Sequence, residues 1–447
     1  MTFDVVVLAA GAGQRLRSKI PKPLLPLAGK PLISYVLETA RKLAPQQLVV
    51  VCPPASEFTA TLRQYDTDFI RTVQATPSGT ADALRCALPH LASTGCALVL
   101  CADAPLLSVA SLRKLLRAGQ NAPALLTFTT DTPTGYGRIV RDKKAVCRIV
   151  EQRDASTSEQ LINEVYAGAM ALPTKLLKTM LEKIDDQNAA GERYITDIAA
   201  LATAQGLSVS AVQCSADECA GVNTAADLEH LTRLWRQQQS AALLARGVRL
   251  ADANRVDVRG TVRCGTDVEI DVNVILEGDV ALADDCRIGA NCILKNCRIG
   301  ANTVIAPFSH IEDSIIGERC TIGPYARMRP GSVLAAGVHV GNFVEIKNSR
   351  LKENVKAGHL AYIGDSNIGT GSNIGAGVIT CNYDGKEKHR TVIGNDVFIG
   401  SDSQLVAPVK IADGAYIAAG STITKTVPAN NLAISRTPQQ VRPRKKS

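Results

Sequence analysis

Apolar residues recur at a strict spacing of six through the C-terminal half of the chain, from about Val256 to Val427. A second, mostly small residue lies two positions before each of them, and side chains two apart point to the same face of a strand. Intervening Gly, Asn and Asp favour turns. The pattern predicts a solenoid whose stacked coils bury the apolar series. The three unbroken series are Val258, Cys264, Ile270, Leu276, Leu282, Ile288 and Leu294; Ile316, Ile322, Met328, Leu334, Val340 and Ile346; and Ile393, Ile399, Leu405, Ile411, Ile417 and Ile423.

Residues 3–230 instead alternate short apolar runs with helical patterns. This alternation favours an α/β domain with a mostly parallel, doubly wound sheet. Ligands of such sheets bind beyond the carboxyl ends of the strands. The predicted strands are Phe3–Ala10, Leu48–Cys52, Ile70–Gln74, Ala97–Cys101, Ala124–Thr129 and Ser208–Gln213, and the predicted helices are Pro31–Leu43, Ser56–Tyr65, Thr80–Leu91, Val109–Arg117 and Thr174–Lys183.

One long helix is predicted between the two halves, from Asn223 to Arg246, with Gly247 as its natural stop. The polar face of this helix suggests a solvated arm that joins two domains. The helix can also be interpreted as the last helix of the first domain. We therefore expect a first domain at residues 1–224, a linker helix at 225–247 and a solenoid domain at 248–447.

Composition narrows the class of protein. The net charge of +8 is modest and spread out, so it does not favour nucleic acid and suits acidic substrates equally well. The thirteen cysteines include no CxxC pair, and several fall on inward positions of the repeat, as expected in a reducing cytoplasm. No apolar stretch approaches the roughly 18 residues that span a bilayer. We expect a cytoplasmic protein that binds neither nucleic acid nor membrane.

The first predicted strand runs into a glycine-rich turn, Leu8-Ala9-Ala10-Gly11-Ala12-Gly13-Gln14-Arg15-Leu16. Such a turn can direct its N–H groups at phosphates, and Arg15 and Lys22 add positive charge. Leu16 replaces the third glycine of a dinucleotide fingerprint, and no Gly-Lys-Ser/Thr follows as in a P-loop. Alone, the turn is weak evidence for a nucleotide.

With Pro21-Lys22-Pro23, this segment is similar to the signature of the sugar nucleotidyltransferase family. The segment from Gln74 to Gly79-Thr80 resembles that family's uracil-recognition segment, Asp103 matches a Mg²⁺-binding aspartate, and Asn223 matches the second Mg²⁺ ligand. Pro133–Ile139 and Glu151 match the sugar side. The resemblance implies a nucleotide and sugar site formed by Leu8, Ala9, Ala10, Gly11, Arg15, Lys22, Gln74, Gly79, Thr80, Asp103, Gly137, Glu151, Tyr166 and Asn223.

Nucleotidyl transfer requires residues of these types. A sugar 1-phosphate oxygen attacks the α-phosphorus of a nucleoside triphosphate and expels pyrophosphate. Both reactants are anions, so a metal ion and cationic side chains must offset their repulsion. We expect Asp103 and Asn223 to hold Mg²⁺, and Arg15 and Lys22 to hold the phosphates.

The six-residue repeat breaks between Lys347 and Ile393, where the polar segment Thr380–Arg390 must loop out of the solenoid. Such loops commonly cross to a neighbouring subunit. His359 lies in this interval. A lone histidine is more often structural, but Lys356, Tyr362 and Lys347 surround this one in sequence or on nearby coils. This setting favours a general base that acts on a phosphorylated sugar.

The solenoid resembles the hexapeptide-repeat family, whose fold is a left-handed parallel β-helix and whose members are usually trimers. Three segments, Lys356–Tyr362, Asn382–Gly385 and Ala433–Arg436, are similar to one family in particular. Its members are bacterial enzymes that transfer acetyl from acetyl-CoA to glucosamine 1-phosphate and uridyl from UTP to N-acetylglucosamine 1-phosphate. This resemblance covers nearly the whole chain.

The same resemblance implies a role for each residue of the acetyl site. His359 is the general base, Mg²⁺ serves the uridyl site, and the assembly is a homotrimer. The implied phosphosugar ligands are Arg329, Lys347, Tyr362 and Asn373, and the implied acetyl-CoA ligands are Ala376, Asn382, Tyr383, Ser401, Ala419 and Arg436.

The uridyl half departs from the family pattern at three positions. Cys101 replaces a tyrosine, Tyr166 replaces an asparagine, and Asp82 replaces a histidine. A lost amide and an added ring should change how the sugar is recognised. Two alternatives therefore stand beside the bifunctional enzyme. One is a nucleotidyltransferase of single activity or altered sugar preference, whose β-helix mainly trimerises. The other is a non-enzymatic binding scaffold.

Overall fold

The structure is a computed structural model that describes residues 2–11, 16, 18–66 and 68–443. The chain divides into two compact units, Met1–Trp235 and Arg236–Ser447. The helices are α1 (Leu32–Arg41), α2 (Ser56–Arg63), α3 (Thr80–Ala87), α4 (Val109–Ala118), α5 (Thr157–Gln160), α6 (Thr174–Leu181), α7 (Asp197–Ala204) and α8 (Ala225–Ala245), with short 3₁₀ turns at Lys22–Leu24, Leu88–His90 and Ala253–Arg255. The division between the units lies inside α8, whose observed bounds differ by one or two residues from the predicted helix.

Unit 1 is built on a mixed sheet. Its strands are β1 (Phe3–Leu8), β2 (Pro26–Leu27), β3 (Lys30–Pro31), β4 (Leu48–Cys52), β5 (Ile70–Val73), β6 (Cys96–Cys101), β7 (Ala124–Thr129), β8 (Arg138–Asp142), β9 (Ala145–Val150), β10 (Glu164–Pro173) and β11 (Ser210–Gln213). The main sheet has the order β11-β7-β10-β6-β1-β4-β5. Strands β6, β1, β4 and β5 are parallel neighbours, so their carboxyl ends meet at one edge.

The predicted doubly wound domain is confirmed, but several of its elements were not predicted. Strand β10 lies antiparallel between β6 and β7, and the hairpin β8–β9 pairs with it. Helix α7 was also missed. The register of β10 on β7 shifts between Tyr166 and Met170, around Gly168, which has a φ of +73°. The run of Ala and Gly in β10 lacks the β-branched residues that indicate a strand in the sequence.

Unit 2 is a parallel β-helix of short strands. They are β12 (Arg249–Leu250), β13 (Val256–Cys264), β14 (Glu269–Ile270), β15 (Val274–Leu282), β16 (Arg287–Ile288), β17 (Ile293–Lys295), β18 (Arg298–Ile299), β19 (Val304–Ile305), β20 (His310–Glu312), β21 (Ile315–Ile316), β22 (Thr321–Ile322), β23 (Arg327–Met328), β24 (Val333–Leu334), β25 (His339–Asn342), β26 (Glu345–Lys347), β27 (Arg350–Leu351), β28 (Lys356–His359), β29 (Tyr362–Gly364), β30 (Ser366–Ile368), β31 (Asn373–Ile374), β32 (Ile379–Cys381), β33 (Thr391–Ile393), β34 (Phe398–Ile399), β35 (Gln404–Val406), β36 (Val409–Ile411), β37 (Tyr416–Ile417), β38 (Thr422–Ile423) and β39 (Leu432–Ala433).

Each coil pairs in parallel register with the next. The offset is 18 residues between Val256 and Val274 and 17 between Ile293 and His310. It rises to 25 between Ser366 and Thr391, because the polar segment folds outside the coil. Every predicted inward position of the three series is buried except Cys264, which is partly buried. The six-residue period therefore identified the core correctly.

One corner of the β-helix carries large apolar residues in the left-handed backbone region. Phe308, Tyr325, Phe343 and Leu360 have φ between +48° and +62° and are about half exposed. The rings of Phe308 and Tyr325 stack at 4.9 Å, and those of Tyr325 and Phe343 at 5.3 Å. Bulky residues rarely adopt this backbone conformation. We call these four residues the apolar corner row.

None of the described helices is long and apolar enough to cross a membrane.

Candidate functional site

A cavity of about 620 Å³ opens in unit 1 at the carboxyl ends of the parallel strands. Most of the predicted nucleotide and sugar residues line it: Leu8, Ala9, Ala10, Gly11, Lys22, Gln74, Gly79, Thr80, Asp103, Glu151 and Asn223. Gly137 and Tyr166 are not among the lining residues. Arg15 lies outside the described part of the chain. We call this space the strand-end cavity.

Lys22, Asp103 and Asn223 meet at one point of the strand-end cavity. The Lys22 ammonium forms an ion pair with Asp103 and donates a 3.0 Å hydrogen bond to Oδ1 of Asn223. The loop at Asn223 is held by Asp227, whose carboxylate accepts from the backbone N–H groups of residues 223 and 224 at 2.8 Å. The two oxygens that the sequence assigns to a metal thus converge around a single positive charge.

A carboxylate and an amide oxygen directed at one point suit a hard cation such as Mg²⁺. Among the described residues, no group of three or more His, Cys, Asp or Glu side chains could hold a metal. Mg²⁺ at Asp103 and Asn223 would therefore take its other ligands from phosphate oxygens and water, as is usual where it serves phosphoryl chemistry.

Glu151, which the sequence analysis predicted to face the sugar, also lines the strand-end cavity. Glu151 accepts a 2.9 Å hydrogen bond from the Thr196 hydroxyl, and burial raises the pKa of its carboxyl. Behind it lie Cys101 and Tyr166. Burial raises the pKa of the Cys101 thiol to about 12 and that of the Tyr166 phenol well above its ordinary value. Cys101 lines the cavity, whereas Tyr166 packs in the core cluster behind it.

The cavity is also lined by residues that the sequence reasoning missed. Arg153 comes from the loop between β9 and α5, and Ala190, Glu192 and Tyr194 come from the loop between α6 and α7. Burial raises the pKa of the Tyr194 phenol to about 12. These loops carry no glycine-rich or metal-ligand spacing, so nothing in the sequence marked them.

In unit 2, His359 ends β28 and stands in register with Asn342 on the preceding coil. Nδ1 of the imidazole lies 2.9 Å from Oδ1 of Asn342. With the amide oxygen as acceptor, the neutral ring has its proton on Nδ1 and its lone pair on Nε2. This is the tautomer in which Nε2 can act as a general base.

Lys347 and Tyr362 lie on the paired strands β26 and β29 of the seventeen-stranded sheet, and Arg329 directly follows β23, which pairs with β26. Glu345 stands between them: it pairs in register with Tyr362 and accepts a 2.8 Å hydrogen bond from Arg329. Asn373 lies on the other sheet, in register with Lys356 rather than with His359.

Lys388 joins this group, although it was not predicted. Its ammonium group lowers the pKa of Lys347, and burial adds to this effect. Asp365 lies beneath the two lysines. Burial raises the pKa of its carboxyl, but amide donors from Asn348 and Asn382 and the two lysines more than offset this, so its pKa lies below the ordinary value. We call Arg329, Lys347 and Lys388 the cationic cluster.

Lys388 reaches this place because the polar segment forms a compact hairpin. Tyr383 and Lys388 form an antiparallel bridge, and the Asp384 carboxylate accepts from the backbone N–H groups of residues 386 and 387 at 2.8 Å. Nε2 of His389 lies 2.7 Å from Asp384. Asn382 directs its amide to Asp365, close to Lys347, whereas the Tyr383 ring is largely exposed.

The other predicted acetyl-CoA residues follow a second corner of the β-helix. The Ala376 carbonyl accepts from the N–H of residue 402 at 2.7 Å, and the Ser401 carbonyl accepts from the N–H of residue 420 at 2.8 Å. The Arg436 guanidinium donates to the Ala419 carbonyl at 2.8 Å. Ala376, Ser401 and Ala419 thus lie on successive coils with a cation at one end. We call them the small-residue row.

Comparisons with known proteins agree with this architecture. Residues 5–206 match the MobA-like NTP transferase domain, residues 258–348 the GMPPB C-terminal domain, and residues 390–425 the bacterial transferase hexapeptide of six repeats. The chain is 49% identical to the bifunctional protein GlmU of Janthinobacterium sp. (strain Marseille), over 98% of this chain and 97% of that protein. It is 50% identical to that of Herminiimonas arsenicoxydans over the same shares. It is 49% identical to that of Burkholderia vietnamiensis over 99% and 100%.

The chain belongs to the bifunctional GlmU family. The predicted fold class is confirmed, and so is the predicted enzyme with a nucleotidyltransferase half and a hexapeptide-repeat acetyltransferase half. GlmU membership covers both halves, so neither a binding scaffold nor a single-activity transferase describes the chain.

Proposed function

We propose that the two units catalyse successive steps on one phosphosugar. Unit 2 transfers acetyl from acetyl-CoA to glucosamine 1-phosphate, and unit 1 then transfers uridyl from UTP to the N-acetylglucosamine 1-phosphate formed. The observation that carries the proposal is that each unit contains both a reactive group and positive charge suited to phosphate. Unit 2 contains the His359–Asn342 contact and the cationic cluster, and in unit 1 Lys22 contacts Asp103 and Asn223 directly.

In the acetyl step, the neutral amino group of the substrate attacks the thioester carbonyl, and Nε2 of His359 takes the proton that the nitrogen loses. The new C–N bond forms, the C–S bond breaks, and the imidazolium returns the proton to the sulfur, so that coenzyme A leaves as its thiol. Asn342 supports the resulting imidazolium by accepting the Nδ1 proton in a hydrogen bond. Backbone N–H groups or the Ser401 hydroxyl would stabilise the transient oxyanion.

The charge and position of the site residues indicate which part of each substrate they bind. Arg329, Lys347 and Lys388 bind the sugar phosphate, and Tyr362 and Asn373 contact the sugar ring. The small-residue row leaves room for the pantetheine arm, and Asn382 and Tyr383 flank the acetyl end. Arg436 and the basic residues that follow it meet the phosphates of coenzyme A.

In the uridyl step, Lys22 and Arg15 bind the triphosphate and the incoming phosphate. Gln74, Gly79 and Thr80 receive the base, and Glu151 binds sugar hydroxyls. Mg²⁺ held by Asp103 and Asn223 would neutralise charge on the phosphate oxygens. With the partners aligned, the sugar-phosphate oxygen bonds to the α-phosphorus as the bond to pyrophosphate breaks.

Acceptor preference in the uridyl step rests on the wall formed by Cys101 and Tyr166. Tyr166 packs behind the cavity, and Cys101 is among the residues that line it. N-acetylglucosamine 1-phosphate remains the proposed acceptor because Glu151, which matches the sugar side of the family pattern, lines the cavity.

We further propose that the enzyme is a cytoplasmic homotrimer. The apolar corner row supports this, since a stripe of exposed aromatic rings in a rarely adopted backbone conformation suits burial against another copy of the chain. The chain's inward cysteines suit a reducing compartment.

The test separates the two activities with one variant each. His359→Ala should lower acetyl transfer, followed as free thiol, by about a thousandfold and leave uridyl transfer intact. Asp103→Ala should do the reverse, with pyrophosphate release as the readout. A His359→Ala enzyme that still releases coenzyme A at the normal rate would overturn the assignment of the acetyl site.

A further inference from the structure

Gln74 is buried at the end of β5 and lines the strand-end cavity, and Asp82 contacts it from the first turn of α3. The side-chain nitrogen of Gln74 donates to the Gly79 carbonyl and to Oδ2 of Asp82, both at 3.1 Å. Its backbone N–H donates to the Cys52 carbonyl at 3.0 Å. Hydrogen bonds therefore hold Gln74 both at its backbone and at its side-chain amide.

The chemistry of these two partners fixes which way round the Gln74 amide lies. A backbone carbonyl and a carboxylate are both acceptors, so each can engage only the NH₂ group. Both N–H bonds are then used, and Oε1 is the polar atom left to meet a ligand. Among the described residues, no hydrogen-bond donor to Oε1 is found.

The Gly79 carbonyl cannot easily move away from this position. Gly79 has a φ of +115°, and a Cβ there would lie 2.6 Å from the Arg193 backbone nitrogen. The N–H of Ala81 donates to the Arg193 carbonyl at 2.9 Å, and the N–H of Ile195 donates to the Thr80 hydroxyl at 2.9 Å. The loop that carries Gly79 is thus pinned on both sides.

We propose that Asp82 is a positioning residue that makes the uridyl site selective for a base with an N–H donor at its ring edge. This inference rests on the proposed function, which places the base at Gln74. With its oxygen turned to the cavity, Gln74 accepts from N3–H of uracil. N3 of cytosine carries no proton, so N3 and the Gln74 oxygen would face each other as two acceptors and repel.

The test compares kcat/KM for UTP and CTP with N-acetylglucosamine 1-phosphate and Mg²⁺. Asp82→Asn supplies an NH₂ group that can donate to Oε1, so the Gln74 amide is free to turn over. The UTP/CTP ratio should fall about tenfold, the equivalent of one neutral hydrogen bond. The loss should appear in KM for UTP, with kcat changed by less than about threefold. Asp82→Glu, which keeps an acceptor, should retain most of the ratio.

Two comparisons keep the outcome interpretable. Asp68→Asn removes a carboxylate of unit 1 whose side chain is 96% exposed, and it should leave the ratio unchanged. Asp82→Ala repeats the test without a new donor, and acetyl transfer by the same preparation reports an intact chain. An unchanged UTP/CTP ratio in both Asp82→Asn and Asp82→Ala would overturn the inference while UTP use stands. A wild-type enzyme that does not use UTP would overturn the proposed function and this inference with it.

Discussion

Nδ1 of His359 lies 2.9 Å from Oδ1 of Asn342, its register partner one coil earlier. The two residues are 17 apart in sequence, which is one turn of the β-helix at this point. Parallel in-register pairing places their side chains on the same face of adjacent strands. The repeat therefore determines which residues form the core and also how the His359 imidazole is oriented.

The contact between His359 and Asn342 predicts a selective kinetic defect. Asn342→Leu removes the acceptor and frees the ring to rotate and change tautomer, so kcat for acetyl transfer should fall about 10- to 100-fold. KM for acetyl-CoA and the rate of uridyl transfer should not change. Asn342→Asp keeps an acceptor and should retain activity. Full kcat in Asn342→Leu would show that the ring is held by other groups.

Asn223 should govern the Mg²⁺ requirement of uridyl transfer. Its oxygen converges with Asp103 on one point, so Asn223→Leu removes one of two protein ligands. The Mg²⁺ concentration for half-maximal rate should rise about tenfold or more. Chelation of Mg²⁺ should abolish uridyl transfer and leave acetyl transfer unaffected. An unaltered Mg²⁺ titration in the variant would place the metal elsewhere.

Lys388 should control the pH dependence of phosphosugar binding. Its charge lowers the pKa of Lys347, so Lys347 loses its proton, and with it its attraction for phosphate, at a lower pH than an ordinary lysine. Inhibition of acetyl transfer by N-acetylglucosamine 1-phosphate should therefore weaken as pH rises through that lowered pKa. Lys388→Ala should weaken inhibition overall and move the inflection to higher pH.

Lys386, exposed on the same hairpin, provides the matched control. Lys386→Ala removes an equal charge and should leave the inflection where it is in the wild type. The same inflection in Lys388→Ala and the wild type would contradict the assigned contact between the two lysines.

The neighbours Ile315 and Ile316 test the packing of the β-helix. Ile316 is 2% exposed and points into the core, whereas Ile315 is 50% exposed. Ile316→Ala should lower the free energy of unfolding by about 2–5 kcal/mol, while Ile315→Ala should change it by less than about 0.5 kcal/mol. Urea unfolding followed by circular dichroism measures both. Equal losses would mean that the coil is not packed as described.

The β-helix was predictable because every coil repeats one requirement. A position such as Ile322 or Ile399 must be apolar in each turn, so the period survives in the sequence. The strand-end cavity was predictable in part, since Gly11 and Asp103 each follow a buried strand. In a parallel sheet, such residues meet at one edge.

The remaining features depend on contacts between distant residues. Strand β10 enters the sheet antiparallel, and its small residues suit close packing rather than strand propensity. Lys388 lies beside Lys347 only because the hairpin folds back onto the coil, which no local pattern encodes. Asp82 bonds to Gln74 across the turn that joins β5 to α3. None of these contacts can be predicted without the tertiary structure.

The most direct test of two linked activities supplies the enzyme with Mg²⁺, UTP and glucosamine 1-phosphate, with and without acetyl-CoA, and identifies products by mass. We predict UDP-N-acetylglucosamine, free coenzyme A and pyrophosphate when acetyl-CoA is present, and little nucleotide sugar when it is absent. Equal formation of UDP-glucosamine without acetyl-CoA, or no release of coenzyme A with it, would contradict the account.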